Sequence, residues 1–305
     1  MEFRSSNTTL VEFLKSRIDT LDLLISHAHE TLKILEDCIA FVGLVGNLII
    51  ICFFIRINRR KLKKMTSYHF LLIQLAIIDF IICLGVMASS FYLTRNIGQW
   101  YSPTVISLLK VFILDSNLVL IIISFLRYQR IVHPLKNNKW TKLHFIYLSV
   151  AAFLLSLAIF LPMFNQDHQS VHFTIYDLST VGMTILSFIL TCLFYYNISM
   201  ALANAPHSRA KERNQKALAT LKFLISLFTV SNVFGKILYI AFSIALNESN
   251  FTVDAIVYKT LSMMENFARG LIYLNSVGNV FIYLKTVPGF YRFVLSTFCC
   301  RKRKE

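Results

Sequence analysis

Seven apolar stretches, near 36–56, 68–93, 104–126, 143–164, 174–202, 217–246 and 256–284, run through this chain of 305 residues. Each supplies the roughly 20 residues needed to cross a ~30 Å hydrocarbon core. With no water there to bond the backbone, each stretch must close its own hydrogen bonds as a helix. A hydrophobic fraction of 56% excludes an ordinary soluble domain. The expected fold is an all-α membrane protein, a seven-transmembrane helix bundle over 35–285. An N-terminal segment at 1–34 precedes it, and a tail at 286–305 opens with a short amphipathic surface helix.

A net charge of +15 raises the question of nucleic acid, and the distribution of charge answers it. Arg56, Arg59, Arg60, Lys61, Lys63 and Lys64 follow the first stretch, Arg130, Lys136, Lys139 and Lys142 the third, and Arg209, Lys211, Arg213 and Lys216 the fifth. Arg301, Lys302, Arg303 and Lys304 stand just before the final Glu305. Spans divide these cations into loop-sized pieces, so no continuous basic face for nucleic acid forms. All lie on one side, whereas the alternate loops carry Asp167, Glu248 and Asp254. The positive-inside rule then predicts a multi-pass plasma-membrane protein with its N-terminus extracellular and its C-terminus cytoplasmic. Sequons at Asn7, Asn247 and Asn250 fall on the predicted outer side, as glycosylation requires. Residues 1–34 are too charged for the apolar core of a signal peptide, so the first span is expected to act as its own anchor.

Leu10, Phe13, Leu14, Ile18, Leu21 and Leu24 recur at helical spacing, and Thr9 to Glu12 fits a capping box. That segment reads either as an interfacial helix or as a lid over an outer pocket. At the other end, Phe290, Phe293, Val294 and Phe298 make an amphipathic run before Cys299 and Cys300. Those two cysteines are acylation candidates that would add membrane lipid contact, with ordinary free thiols as the alternative.

Polar groups inside the apolar stretches are expensive, and such groups mark function. The seventh contains Asn275, Ser276 and Asn279, the second Asp79 and the third Ser116. With Gly46-Asn47 in the first stretch and Arg127-Tyr128 closing the third, this set resembles the rhodopsin-like family of G-protein-coupled receptors. The run Leu126-Arg127-Tyr128-Gln129-Arg130-Ile131-Val132-His133-Pro134-Leu135 is similar to the family's D-R-Y-x-x-I-V-x-P-L. Asn279-Val280-Phe281-Ile282-Tyr283 is similar to N-P-x-x-Y. The resemblance implies coupling of an extracellular ligand to a heterotrimeric G protein, with Arg127, Tyr128, Tyr195, Asn279 and Tyr283 as the switch. It also implies a sodium or water pocket of Asp79, Ser116, Asn275, Ser276 and Asn279. Sodium, held by Asp79 and Ser116, is the candidate allosteric ion, a hydrogen-bonded water network is the alternative, and no other cofactor is expected.

The departures from the family are equally specific. Leu126 replaces the acid beside the arginine, and Asn214 stands where some members place another. Val280 replaces the seventh-helix proline, so a normal N–H can complete the helical ladder there. Ser231, Asn232 and Phe234 replace the sixth-helix C-W-x-P. No cysteine pair is available for the family's outer disulfide, an absence shared with receptors of the melanocortin and lysophospholipid-related groups.

Leu109 and Tyr273 replace the aspartate of amine receptors and the lysine of opsins, so neither ligand chemistry is expected. Lys110, Lys236 and Arg269 instead lie toward the family's ligand cavity, and Glu265 sits one turn before Arg269. They predict an anionic small molecule, a lipid-like amphiphile or a peptide with a carboxylate. Internal pairing with Asp115 and Glu265 is the competing expectation. A transporter or channel is the rival class, though no inverted repeat supports it. A chemosensory receptor is the rival within the family. No H-E-x-x-H or G-x-S-x-G motif suggests an enzyme.

Overall fold

The computed structural model describes residues 3–60, 67–94, 101–133, 141–161, 169–203, 223, 225–249, 255–287 and 289–298. They form helices α1 (Phe3–Arg60), α2 (Ser67–Thr94), α3 (Tyr101–Val132), α4 (Lys142–Phe160) and α5 (Gln169–Ala203). A π-helical turn (Thr229–Phe234) then leads into α6 (Gly235–Ser249), followed by α7 (Ala255–Thr286) and α8 (Phe290–Phe298). Among the described residues there is no strand.

Among the described residues, six helical segments are long and apolar enough to cross a membrane, including Ile225–Phe242 through the π turn. α7 has 32 residues, about 48 Å at 1.5 Å per residue, and so has ample length. Its Glu265, Arg269, Asn275 and Asn279 dilute its apolar character. Buried Ala268, Tyr273, Val277 and Ile282 turn those polar groups into the bundle. The aliphatic and aromatic side chains facing outward, such as Leu48, Phe91, Leu154, Ile189 and Phe281, have lipid as their natural surroundings.

α1 is the largest surprise. It has 58 residues, about 87 Å, so the helical pattern at 9–34 and the first span are one unbroken helix that starts before the Thr9 capping box. Nothing at 34/35 ends it, because the chain there reads Ile34-Leu35-Glu36-Asp37-Cys38, without the glycine or proline that stops a helix.

Close packing between helices rests on small residues, as in other lipid-embedded bundles. A Cβ at Gly46 of α1 would lie 2.7 Å from Val280 of α7, and one at Gly43 2.9 Å from Val277. At Gly278 of α7 it would collide with Leu227, which fixes how near the sixth span approaches. Elsewhere rings interlock. Phe112 of α3 meets Phe153 of α4 at 6.2 Å, Phe125 of α3 meets Phe194 of α5 at 5.7 Å, and Phe188 stacks on Phe228 at 6.3 Å. Gly289, at φ +83°, makes the turn that folds α8 back. Phe53 of α1 then packs on Phe290 and Phe293 at 5.0 and 5.3 Å. The expected amphipathic surface helix is therefore present, anchored on α1.

Candidate functional site

Half a helix turn decides which polar groups meet inside the bundle. Asp79 lies between buried Ala76, Ile78 and Ile82 on the inward face of α2. Its carboxylate accepts from Ser116 Oγ of α3 at 3.2 Å and from Asn279 Nδ2 of α7 at 2.7 Å, and Ser276 supplies another side-chain hydrogen bond. Asn47 of α1 donates to the carbonyls of Gly43 and Ser276 at 2.9 and 3.2 Å. Four helices are thus joined at one depth. Asp79, Ser116, Ser276 and Asn279 of the predicted set meet in one cluster, and Asn275 is buried on the same helix as the last two.

Two buried atoms near this cluster, Asn47 Oδ1 and the Tyr283 hydroxyl, have no hydrogen-bond partner among the described residues. Such atoms need water or an ion. The donor set is hard oxygen, a carboxylate with two hydroxyls, which suits an alkali or alkaline-earth cation better than a transition metal. No group of three His, Cys, Asp or Glu positioned for a metal occurs among the described residues.

At the far end of α3, Arg127 Nη2 donates to the Tyr68 hydroxyl of α2 at 2.5 Å, with its guanidinium carbon 5.4 Å from that ring's centre. Leu126 points the other way and is only 1% exposed, packed into the main core. Tyr283, buried one turn beyond Asn279 on α7, lies near enough to Asp79, Tyr68 and Arg127 to feel their electrostatic influence, while its hydroxyl bonds none of them. Tyr128 meets His133 Nε2 at 3.1 Å and packs on Phe194. Of the two adjacent α5 tyrosines, Tyr195 is buried against Tyr128, Val132 and Ile225, while Tyr196 faces outward.

The sixth span carries the largest departure from the family pattern, and the structure gives it a form. Ser231 and Asn232 are buried in the π turn, and the Gly235 N–H reaches both Asn232 O and Val230 O. Ser231 Oγ bonds back to Leu227 O at 2.7 Å, which satisfies the hydroxyl inside the helix. The bulge stands where the family kinks at proline, and a π turn is a recognised source of helix bending.

The three cations have different surroundings. Arg269 pairs with Glu265 at 3.0 Å, lies 5.8 Å over the Tyr239 ring of α6 and interacts with Glu36 of α1. Lys236 is 5% exposed and donates to Thr184 Oγ1 of α5 at 2.6 Å. Lys110 is half-buried on α3. Asp115 is buried on α3, and one of its oxygens has no hydrogen-bond partner among the described residues. The Glu265 half of the internal-pairing expectation is thus formed.

Sequence reasoning missed Tyr68, Thr184, Glu36 and Tyr239. Only the absence of acids around Arg127 signalled that some other group must hold it. Asn7 and Asn247 lie on α1 and α6, their side chains outside the described set. Asn250, Cys299, Cys300 and Asn214 lie outside the described residues.

A bundle of apolar helices joined by one buried polar cluster, with an arginine at the end of the third, defines a heptahelical receptor. The chain matches the 7 transmembrane receptor (rhodopsin family) over residues 46–283, and it belongs to that family. It is also 33% identical over 131 residues to the neuropeptide Y receptor type 5 of Sus scrofa. That alignment spans 41% of this chain but only 28% of the relative's length.

Proposed function

We propose that the protein is a plasma-membrane receptor, N-terminus outside and C-terminus in the cytosol, that passes an extracellular signal to a heterotrimeric G protein and catalyses no reaction itself. The carrying observation is the hydrogen bond from Asn279 of α7 to Asp79 of α2, which ties the middle of the bundle to the helix whose Tyr283 stands one turn further toward the basic end. A change at one end has a physical route to the other. Arg127, Tyr128, Tyr195, Asn279 and Tyr283 are the switch in this reading. Asp79, Ser116, Asn275, Ser276 and Asn279 form the pocket that stabilises the resting arrangement, and sodium would be held there by Asp79 and Ser116.

The ligand we infer is anionic: a small acid, a lipid-like amphiphile or a peptide presenting a carboxylate. Lys236 supports this, because an ammonium so deeply placed between α5 and α6 attracts negative charge strongly in a low dielectric. Lys110, half-buried on α3, is a second cation for such a ligand, and Arg269 would join them by exchanging its bond to Glu265. The similarity to a receptor named for a neuropeptide favours the peptide among the three. The test is a second-messenger screen across G-protein chimeras with ligand pools divided by charge. An agonist from the anionic pool whose potency falls in Lys236→Ala at unchanged surface number supports the reading. A cationic or neutral agonist indifferent to that change overturns the anionic assignment, and silence with every chimera overturns G-protein coupling.

A further inference from the structure

The N-terminal half of α1 leans on α7 in a regular way that the receptor fold does not require. Lys259 Nζ of α7 bonds Asp22 Oδ1 of α1 at 2.5 Å. Asn266 Nδ2 meets His29 Nδ1 at 3.3 Å, and Arg269 interacts with Glu36. Gly43 then lies against Val277, and Gly46 against Val280. On α1 the first four positions, Asp22, His29, Glu36 and Gly43, recur every seven residues. Their partners also advance along α7, so the two helices run parallel. A seven-residue repeat between parallel helices is the geometry of a left-handed two-helix coil. Here the polar rungs occupy one end of the seam, and glycine-on-valine contacts occupy the membrane core.

We propose that this extension of α1 is a built-in lever on α7: its polar rungs hold α7 in the resting position, and their release raises signalling without ligand. The inference rests on the receptor reading and topology given above. Three observations carry it. The hydrogen-bonded rungs Lys259–Asp22 and Asn266–His29, and the glycine contacts beyond them, follow one another along a single line of α7, so parting them acts on one contact surface. α7 is a single helix from Ala255 to Thr286, since Val280 keeps the N–H that proline would remove, and it has no built-in hinge to absorb a movement. Asn279, the group that bonds Asp79, lies 20 residues beyond Lys259 on the same rod, about 30 Å away. Asp22, His29 and Glu36 are thereby positioning residues acting through α7.

Charge reversal with rescue is the test, made in the full-length receptor. Side chains of Asp22 and Lys259 are 43% and 45% exposed, so both sites accept reversal without disturbing the core. Asp22→Lys and Lys259→Asp are each expected to raise ligand-free second-messenger output per surface receptor about two- to fivefold, and the double exchange to return it to the starting level. Single variants that leave output unchanged, or a double exchange that fails to restore it, overturn the lever. A second readout needs no G protein. An environment-sensitive fluorophore on Phe281→Cys, an outward-facing site near the other end of α7, is read in purified receptor with Cys38, Cys52, Cys192, Cys299 and Cys300 replaced by Ser. Emission that shifts in Lys259→Asp and recovers in the double exchange supports the lever, even if all variants are silent in signalling, a result that counts against the receptor reading alone. Emission unchanged by the reversal overturns it.

Discussion

Removing one oxygen atom tests how Arg127 is restrained. Tyr68→Phe keeps the ring under the guanidinium, at 5.4 Å, and deletes the hydroxyl that accepts from Nη2 at 2.5 Å. A hydrogen bond to a charged group contributes about 1.5–3 kcal/mol net. The retained ring contact contributes about 0.5–1 kcal/mol. Because Arg127 is partly accessible and Tyr195 and Tyr283 stand nearby to replace part of the loss, the lower end, about 1.5 kcal/mol, is the working figure. If the bond forms only in the resting state, the ratio of active to resting receptor rises about tenfold while the active fraction is small. The prediction is raised ligand-free output for Tyr68→Phe, a larger rise for Tyr68→Ala, and none for Tyr68→Phe combined with Arg127→Ala. Second-messenger output scaled to surface receptor number is the assay. Output of Tyr68→Phe equal to the parent, in cells where an agonist still produces a response, would show that Tyr68 does not hold Arg127 at rest.

Restoring the family's acid is expected to damage folding before it quiets signalling, because Leu126 is 1% exposed in the core. Leu126→Asp should lower surface number at least as much as Leu126→Ala, whose loss of buried contacts costs about 2–5 kcal/mol. Normal expression with reduced basal output would instead show an acid reaching Arg127. If sodium occupies the Asp79 pocket, melting of purified receptor should be higher in sodium than in choline, and Asp79→Asn should remove the difference. Equal melting of the parent in both salts leaves water as the occupant. Gly46→Ala forces a methyl to 2.7 Å from Val280 and should destabilise by about 1–3 kcal/mol, with Val280→Ala restoring much of the loss. Thermal melting measures it, and additive rather than compensating effects would place the strain elsewhere.

The fold was legible because the bilayer admits so few solutions: length and apolarity alone gave seven helices, and loop charge gave an expected orientation. The polar cluster was legible for the same reason, since Asp79, Ser116, Asn275, Ser276 and Asn279 have no reason to sit in hydrocarbon separately. Their partners were not. Tyr68 is an unremarkable residue at the start of a helix, and its pairing with Arg127 depends on how α2 and α3 are rotated, which no local pattern encodes. The choice of Tyr195 over Tyr196 is a matter of a single residue step, about 100° of helix rotation. That one helix runs through residue 34 was not legible, because Lys33, Glu36 and Asp37 are compatible with helix and carry no stop signal, yet nothing local ties the helical pattern before them to the span after them. The bulge in the sixth span was legible only as a failed match.

That failed match has a simple arithmetic. An i→i−5 turn holds one residue more than the α-helical turn it replaces. One residue corresponds to about 100° of rotation and 1.5 Å of rise. The sixth span of this receptor is therefore equivalent to an ordinary helix with a single amino acid inserted between Phe228 and Gly235. Side chains after the bulge are turned about 100° from where an unbroken helix would carry them. Lys236 and Tyr239 face Thr184 and Arg269 only because the extra residue is present, so deleting Val233 would carry both about a quarter-turn away from the groups they now meet.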